Sequence, residues 1–324
     1  MLRKESLPLF EMMSLEEIVA GARFTHEALC DYAVGANDGR VYLLFKDWNS
    51  KDLYSYLVAV LDIDWEAGRC IGKQVYDLGD GYRTEYCWVS ALGDDFLLVW
   101  CRCRYNDGDP ERNGLLIGRD GTVRRDYCFG DGIEQCLVLK DGTIVTSYFD
   151  EGVWGNYGWG GETDESHPIG WTGLTAWRSD GRNVWSAGDY QENPCSECDA
   201  ISQDTQGRLW FYKDGEIMLR DFLQDRNEVI VSSLRGVVEV RDSEAFAVTP
   251  DGQRLLFDGG YEDFYRRFFV LAFDGETWQL EAEVIPELNG TPIEPSQYYL
   301  ERKLSDHRTL WLTASGMLCG YRFV

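Results

Sequence analysis

The sequence is poor in the residue types and motifs that mark most enzyme active sites. Its three histidines, His26, His167 and His307, lie far apart and at no metal-ligand spacing. It contains no G-x-S-x-G, no phosphate-binding G-x-x-x-x-G-K and no dinucleotide-binding glycine pattern. These absences argue against a nucleophile-elbow hydrolase, a P-loop nucleotidase and a nicotinamide-dependent dehydrogenase. We predict no catalytic residue, no metal ligand and no cofactor.

Long apolar runs and basic charge are also scarce. No stretch of 18 apolar residues occurs, so no transmembrane helix is expected. Residues 1–14 lack the apolar core and cleavage site of a signal peptide, which predicts a cytoplasmic protein with its ten cysteines reduced. The 31 basic and 56 acidic residues give a net charge of −25, which disfavours binding to nucleic acid or to an anionic membrane. That charge would steer a basic partner, or it serves solubility alone.

The cysteines show no complete functional pattern. Cys195 and Cys198 form a C-x-x-C, but no second pair completes a zinc site, and the pair precedes a predicted strand instead of a helix. Cys101 and Cys103 are predicted to lie on one face of a strand. Packing is the favoured role for all four.

What the sequence does contain is a series of hairpins. Six inner hairpins, separated by about 54 residues on average, match the spacing of propeller blades plus their loops. Asp-Gly pairs between strands indicate two-residue turns, because such turns need positive φ. Five outer hairpins alternate with the inner ones. The predicted inner turns are Asp38-Gly39, Asp94-Asp95, Asp141-Gly142, Gln206-Gly207, Asp251-Gly252 and Asp306-His307.

This pattern predicts an all-β fold, a six-bladed β-propeller formed as a single domain by residues 1–324. The last blade lacks one strand, and residues 1–26 could supply it from Leu7–Met13 or from Ala20–Phe24. The N- and C-terminal strands would then share one blade and close the ring. The S-x-x-E pattern that begins at Ser14 predicts a short helix before Gly21.

Residues 150–171 form a long insertion, rich in glycine and tryptophan, in the third blade. Two to six residues would be usual there, and longer loops are often functional. Large aromatic side chains suit an interface, although they could also pack as a plug over the blade. The predicted partner-binding residues are Asp150, Glu151, Trp154, Asn156, Tyr157, Trp159 and Trp171.

The repeated hairpins resemble the six-bladed β-propeller superfamily. The string YFDEGVWGNYGWG resembles a segment, D-E-G-V-x-G-N-x-G-W-G, of poorly characterised bacterial propeller proteins. The resemblance implies the fold but no settled activity. Some bacterial propellers are immunity partners of toxins. We therefore expect a monomeric, non-enzymatic protein-binding propeller, in its sharpest form an immunity or inhibitor protein that neutralises a basic bacterial toxin.

The alternative is a calcium-dependent lactonase-like enzyme, or another hydrolase, with its site at the central channel. Its oxygen ligands would come from Asn37, Asp150, Glu151, Asn156 and Asp199, and hard oxygen donors suit Ca²⁺.

Overall fold

The structure is a computed structural model that describes residues 2–49, 53–106, 108–161, 166–187, 197–213, 215–231, 234, 237–260, 267–293, 301–304 and 306–324. Most of these residues lie in β-strands. Neither α-helix in these ranges is long and apolar enough to span a membrane.

The chain divides into two compact units. The first unit comprises Met1–Ala20, Asp62–Gly72 and Asp199–Val324. The second comprises Gly21–Leu61 and Lys73–Cys198. The single domain predicted for residues 1–324 stays a prediction.

The first unit begins with strand β1 (Arg3–Ser14), which runs directly into helix α1 (Leu15–Val19). The capping box predicted from the sequence is present. The backbone N–H of Glu17 donates to the Ser14 hydroxyl, and the Glu17 carboxylate accepts from the Ser14 N–H. The helix ends before Gly21, whose φ is +84°.

Three four-stranded antiparallel sheets and one small hairpin supply the strands of the second unit. The first sheet contains β2 (Leu29–Val34), β3 (Val41–Asn49), β4 (Leu53–Asp64) and β5 (Arg69–Tyr82), and the tip of its β4–β5 hairpin is grouped with the first unit. The second sheet contains β6 (Trp88–Leu92), β7 (Asp95–Val99), β10 (Gly114–Ile117) and β11 (Val123–Tyr127). The small hairpin of β8 (Tyr105–Asn106) and β9 (Asp109–Pro110) lies between β7 and β10 along the chain. The third sheet contains β12 (Ile133–Val138), β13 (Ile144–Tyr148), β14 (Leu174–Trp177) and β15 (Asn183–Ser186), and helix α2 (Asp150–Trp154) follows β13.

The remaining strands belong to the first unit. One four-stranded sheet contains β16 (Ala200–Gln203), β17 (Leu209–Lys213), β18 (Glu216–Asp221) and β19 (Arg226–Val231). A nine-stranded sheet contains β20 (Phe246–Val248), β21 (Arg254–Asp258), β22 (Phe268–Phe273), β23 (Trp278–Leu288), β24 (Thr291–Pro292), β25 (Glu301–Lys303), β26 (Arg308–Leu312), β27 (Met317–Arg322) and β1. Short 3-10 turns occur at His26–Ala28 and Val238–Val240.

Strand β1 joins two halves of the nine-stranded sheet. Its residues 3–9 pair in parallel with β23, and its residues 10–14 pair antiparallel with β27. Strands β25, β26, β27 and the end of β1 therefore form one four-stranded antiparallel set. Of the two candidate segments, Leu7–Met13 lies in this strand, whereas Ala20–Phe24 forms no strand.

All six predicted inner hairpins are antiparallel strand pairs, and the five outer hairpins alternate with them. The predicted two-residue Asp-Gly turns, however, are wrong. Between β12 and β13 the Leu139 N–H donates to the Thr143 carbonyl, and the Gly142 N–H donates to the Leu139 carbonyl. This is a three-residue connection with a type I turn followed by glycine at positive φ. The Asp141 carboxylate accepts from the Thr143 N–H, which explains why aspartate precedes the glycine.

Two other details of the prediction need correction. The turn between β6 and β7 is Gly93-Asp94 and not Asp94-Asp95, because Asp95 already pairs with Leu92. Cys101 and Cys103 do not lie in a strand, since β7 ends at Val99.

The hydrophobic core of each unit lies between successive sheets. In the second unit, Leu44 of β3 and Leu98 of β7 belong to one buried cluster, and Val99 and Trp177 belong to another. In the first unit, Trp210 of β17 packs in one cluster with Phe257 of β21. No four-stranded sheet of this size covers both its faces alone, so packing against the next sheet is what buries them.

Candidate functional site

Residues 150–161 of the insertion after β13 are held by backbone hydrogen bonds. Helix α2 ends at Gly155, whose N–H donates to the Glu151 carbonyl. The Trp159 N–H donates to the Asn156 carbonyl, and the Gly160 N–H donates to the Ser166 carbonyl. We name residues 150–161 the aromatic loop. Positive φ at Gly155, at 98°, lets the chain leave the helix.

A second segment, residues 101–105, supports the aromatic loop. The indole N–H of the buried Trp159 donates to the Cys103 carbonyl at 2.7 Å, and the ring lies 5.0 Å from that of Tyr105. The Tyr105 N–H donates to the Tyr157 carbonyl at 2.9 Å. Gly158 is required at this junction, because a Cβ there would lie 2.2 Å from the Tyr105 carbonyl oxygen. We name residues 101–105 the support segment.

Arg102 is the centre of this arrangement. Its guanidinium forms ion pairs with Asp131, at 3.0 Å, and with Glu151 of the loop. It also lies 4.4 Å from the centroid of the Tyr157 ring and 5.6 Å from that of Phe149. Arg102 therefore links the support segment, the aromatic loop and the buried carboxylate of Asp131.

The two carboxylates that face Arg102 differ in environment. The hydrogen bonds from Arg102 and Asn156 hold the pKa of Glu151 below its usual value. Burial raises the pKa of Asp131, although the Cys103 N–H donates to it at 2.7 Å. Arg102 and Asp131 were not among the predicted residues. The run Cys-Arg-Cys-Arg-Tyr at 101–105, two arginines together in an acidic chain, was the signal that could have found them.

A cavity of about 390 Å³ lies beside the support segment in the second unit. Its charged lining includes Arg83, Arg102 and Arg112 together with Glu85 and Glu111. Three cationic and two anionic side chains therefore line it.

The structure places the predicted partner-binding residues in three environments. Glu151, Asn156, Tyr157 and Trp159 make contacts within the loop and with the support segment. Trp154 is 66% exposed, and Asp150, whose carboxylate accepts from the Glu151 N–H, is exposed four residues earlier on the same face of the helix. Trp171 is half-buried and lies edge-on to the ring of His167 at 5.2 Å.

The side chains proposed for a calcium site are not all free to bind one. Glu151 is paired with Arg102, and Asn37 is exposed in the β2–β3 connection. Within the described ranges no three His, Cys, Asp or Glu side chains form a group that could hold a metal ion. Cys195 of the C-x-x-C lies outside the described residues.

No protein-family model matches the chain, and no curated protein matches it. Solved structures that are similar to this chain include a chain of the mitotic checkpoint complex. It is 9% identical, the match covers 90% of this chain and 89% of that one, and the TM-score is 0.47. A putative 6-phosphogluconolactonase from Bacteroides uniformis is 15% identical, the match covers 89% of this chain and 79% of that one, and the TM-score is 0.47. The WD40 repeats of RRP9 are 8% identical, the match covers 91% of this chain and 94% of that one, and the TM-score is 0.45. At these values the likenesses transfer neither activity nor partner to this chain.

Proposed function

We propose that this chain is a non-enzymatic protein-binding module that uses the aromatic loop to contact a basic partner. The observation that carries the proposal is the exposure of Trp154, at 66%, on a loop that is internally bonded and fastened to the support segment. A large aromatic side chain held rigidly in solvent loses little conformational entropy when a partner covers it.

The charges near Trp154 are those that a basic partner requires. Asp150 is on the same face of α2 as Trp154. Partial burial raises the pKa of Glu197, and the negative charge of Asp150 raises it further, which places the two carboxylates near each other. The net charge of −25 adds a long-range attraction for a cation. An arginine or lysine of the partner could stack on the Trp154 ring while pairing with these carboxylates.

Tyr157 is a less suitable anchor than the sequence indicated. Arg102 and Arg104 lie 4.4 Å and 4.7 Å from the centroid of its ring. The ring already interacts with two cations of its own chain. We therefore assign direct recognition to Trp154 and Asp150, and a supporting role to Tyr157, Trp159, Asn156 and Glu151.

The fold that would present this loop is a six-bladed β-propeller. Four separate four-stranded sheets, the run β20 to β23 and the set formed by β25, β26, β27 and β1 would be the six blades. The pairing of β1 with β27 would close the ring with strands from both ends of the chain. Deleting residues 2–14 would then expose the edge of β27, and limited proteolysis should release the C-terminal strands.

More specifically, we propose that the chain is a monomeric cytoplasmic immunity or inhibitor protein that masks a basic bacterial toxin. The acidic charge supports this form, because it would accelerate capture of a basic domain. Among the described residues, no group of three His, Cys, Asp or Glu side chains supports a calcium-dependent hydrolase.

Affinity capture with three baits tests the proposal. Wild type and Leu223→Ala, which alters an apolar side chain that is 83% exposed in the first unit, should enrich the same basic protein. Trp154→Ala should lose it, and raising the salt concentration should slow association of the wild type. Capture that is unaffected by Trp154→Ala, or turnover of lactones by the purified protein with calcium, would overturn the proposal.

A further inference from the structure

A thiol of the support segment, that of Cys103, lies close to the thiol of Cys128. The Sγ atoms of Cys103 and Cys128 are 3.8 Å apart, although 25 residues separate them along the chain. A disulfide bond has an S–S length of about 2.05 Å, so a closing movement of less than about 2 Å would bring the sulfurs to bonding distance. Cys103 is buried and Cys128 is half-buried.

The environment distinguishes the two sulfurs. Hydrogen bonding by the Cys103 thiol lowers the pKa of Cys128 to about 7, and the Gly130 N–H and the Arg112 guanidinium act in the same direction. The same sulfur contact, together with burial, raises the pKa of Cys103. A thiolate is the nucleophilic form of cysteine, so Cys128 is the sulfur prepared for attack and Cys103 the one that stays protonated.

The cavity beside the support segment is lined by residues that contact the two sulfurs. Arg112 lines the cavity and stabilises the Cys128 thiolate, and the carbonyl oxygen of Glu111, another lining residue, lies 3.3 Å from the Cys103 sulfur. A cavity of about 390 Å³ is large enough for a hydroperoxide.

We propose that Cys103 and Cys128 form a peroxide-sensitive dithiol, in which Cys128 is the attacking sulfur and Cys103 the resolving one. This inference does not depend on partner binding. Its chemistry uses one hydroperoxide and no other reactant.

The reaction has two steps. The Cys128 thiolate attacks a peroxide oxygen, the O–O bond breaks, and Cys128 becomes a sulfenic acid while the leaving oxygen takes a proton to form water or an alcohol. Cys103, having given its proton to that leaving group, then attacks the Cys128 sulfur. The S–S bond forms, the S–O bond breaks, and hydroxide leaves and is protonated to water. The two thiols are oxidised, and the peroxide is reduced.

The disulfide would act on the aromatic loop through one contact. The carbonyl of Cys103 accepts the hydrogen bond from Trp159, so fixing Cys103 to Cys128 also fixes the support of that ring. Cross-linking would reduce opening of residues 150–161 and raise the thermal unfolding midpoint by several degrees.

Treatment of the full-length protein with a small excess of hydrogen peroxide tests the proposal. We expect peptide mass spectrometry to find a Cys103–Cys128 cross-link that dithiothreitol reverses. In Cys103→Ser the reaction should stop at the sulfenic acid, and dimedone should label Cys128 at least tenfold faster than Cys70. Cys70→Ser is the matched control and should cross-link as wild type does.

Two outcomes would overturn the proposal. One is a peroxide-treated wild type in which Cys103 and Cys128 remain separate while other cysteines oxidise. The other is equal dimedone labelling of Cys70 and Cys128 in Cys103→Ser. If that variant fails to fold, the wild-type cross-linking measurement still decides between the results.

Discussion

The guanidinium of Arg102 lies 4.4 Å from the centroid of the Tyr157 ring and pairs with Glu151 in the same loop. A single side chain outside the insertion thus forms both an ion pair and a cation–π contact with the aromatic loop. The rigidity of the aromatic loop depends on this arginine as well as on the loop's own hydrogen bonds.

Replacing Arg102 with alanine should lower the free energy of unfolding by about 3 kcal/mol, because it leaves the buried Asp131 carboxylate without its cation. Urea unfolding measures the change. The matched control is Arg104→Ala, which also removes a cation from the Tyr157 ring but leaves Asp131 paired, and it should cost less than about 1 kcal/mol. Equal losses in the two variants would contradict the central role of Arg102.

Alanine substitutions of the two tryptophans in the aromatic loop should have different effects on the free energy of unfolding. Trp159→Ala removes a buried ring and its hydrogen bond to Cys103, and should cost about 3 kcal/mol of stability. Trp154→Ala removes an exposed ring and should change stability by less than about 0.5 kcal/mol. Calorimetry of both variants checks the difference. A large loss of stability in Trp154→Ala would show that this ring has a packing role.

Gly158→Ala should destabilise the protein more than Gly275→Ala. Both glycines have positive φ, at 92° and 102°, so alanine is strained at either position. Only at Gly158 would the new Cβ also meet a carbonyl oxygen, that of Tyr105, at 2.2 Å, whereas nothing lies within 4 Å at Gly275. The difference between the thermal unfolding midpoints of the two variants measures the effect of the close contact between the aromatic loop and the support segment. If the two midpoints agree, the loop is not seated on Tyr105.

Alkylation of Cys128 by iodoacetamide should be half-maximal near pH 7. Its pKa is lowered, so the thiolate forms at a lower pH than in an ordinary cysteine, and the rate should fall about tenfold for each unit below pH 6. The groups that face this sulfur are Cys103, Arg112 and Tyr148.

Cys136 provides the internal control for that measurement. Burial raises its pKa to about 12, with a further contribution from Asp31, so it should stay unmodified in the folded protein across the same pH range. Quantifying both cysteines by mass spectrometry in one sample gives the comparison. A midpoint near pH 9 for Cys128 would show that its thiolate is not stabilised.

The hairpins were predictable because each is a local event. An aspartate that accepts from the N–H two residues later and a glycine at positive φ define a turn within a few residues, as Asp141 and Gly142 do. The turn length was misjudged for a related reason. The two-residue and the three-residue connection use the same residue pair, and strand register decides between them.

The hairpins, the helix cap at Ser14 and the acidic charge follow from the amino-acid sequence, because these depend on neighbouring residues or on composition alone. Which aromatic rings are exposed depends instead on contacts between segments that are distant along the chain. Trp154 and Trp159 lie five residues apart in the same glycine-rich string, and nothing local separates them. Trp159 is buried because residues 101–105 offer it a carbonyl and a tyrosine ring, and Arg102 meets Glu151 because the second and third sheets bring distant segments together.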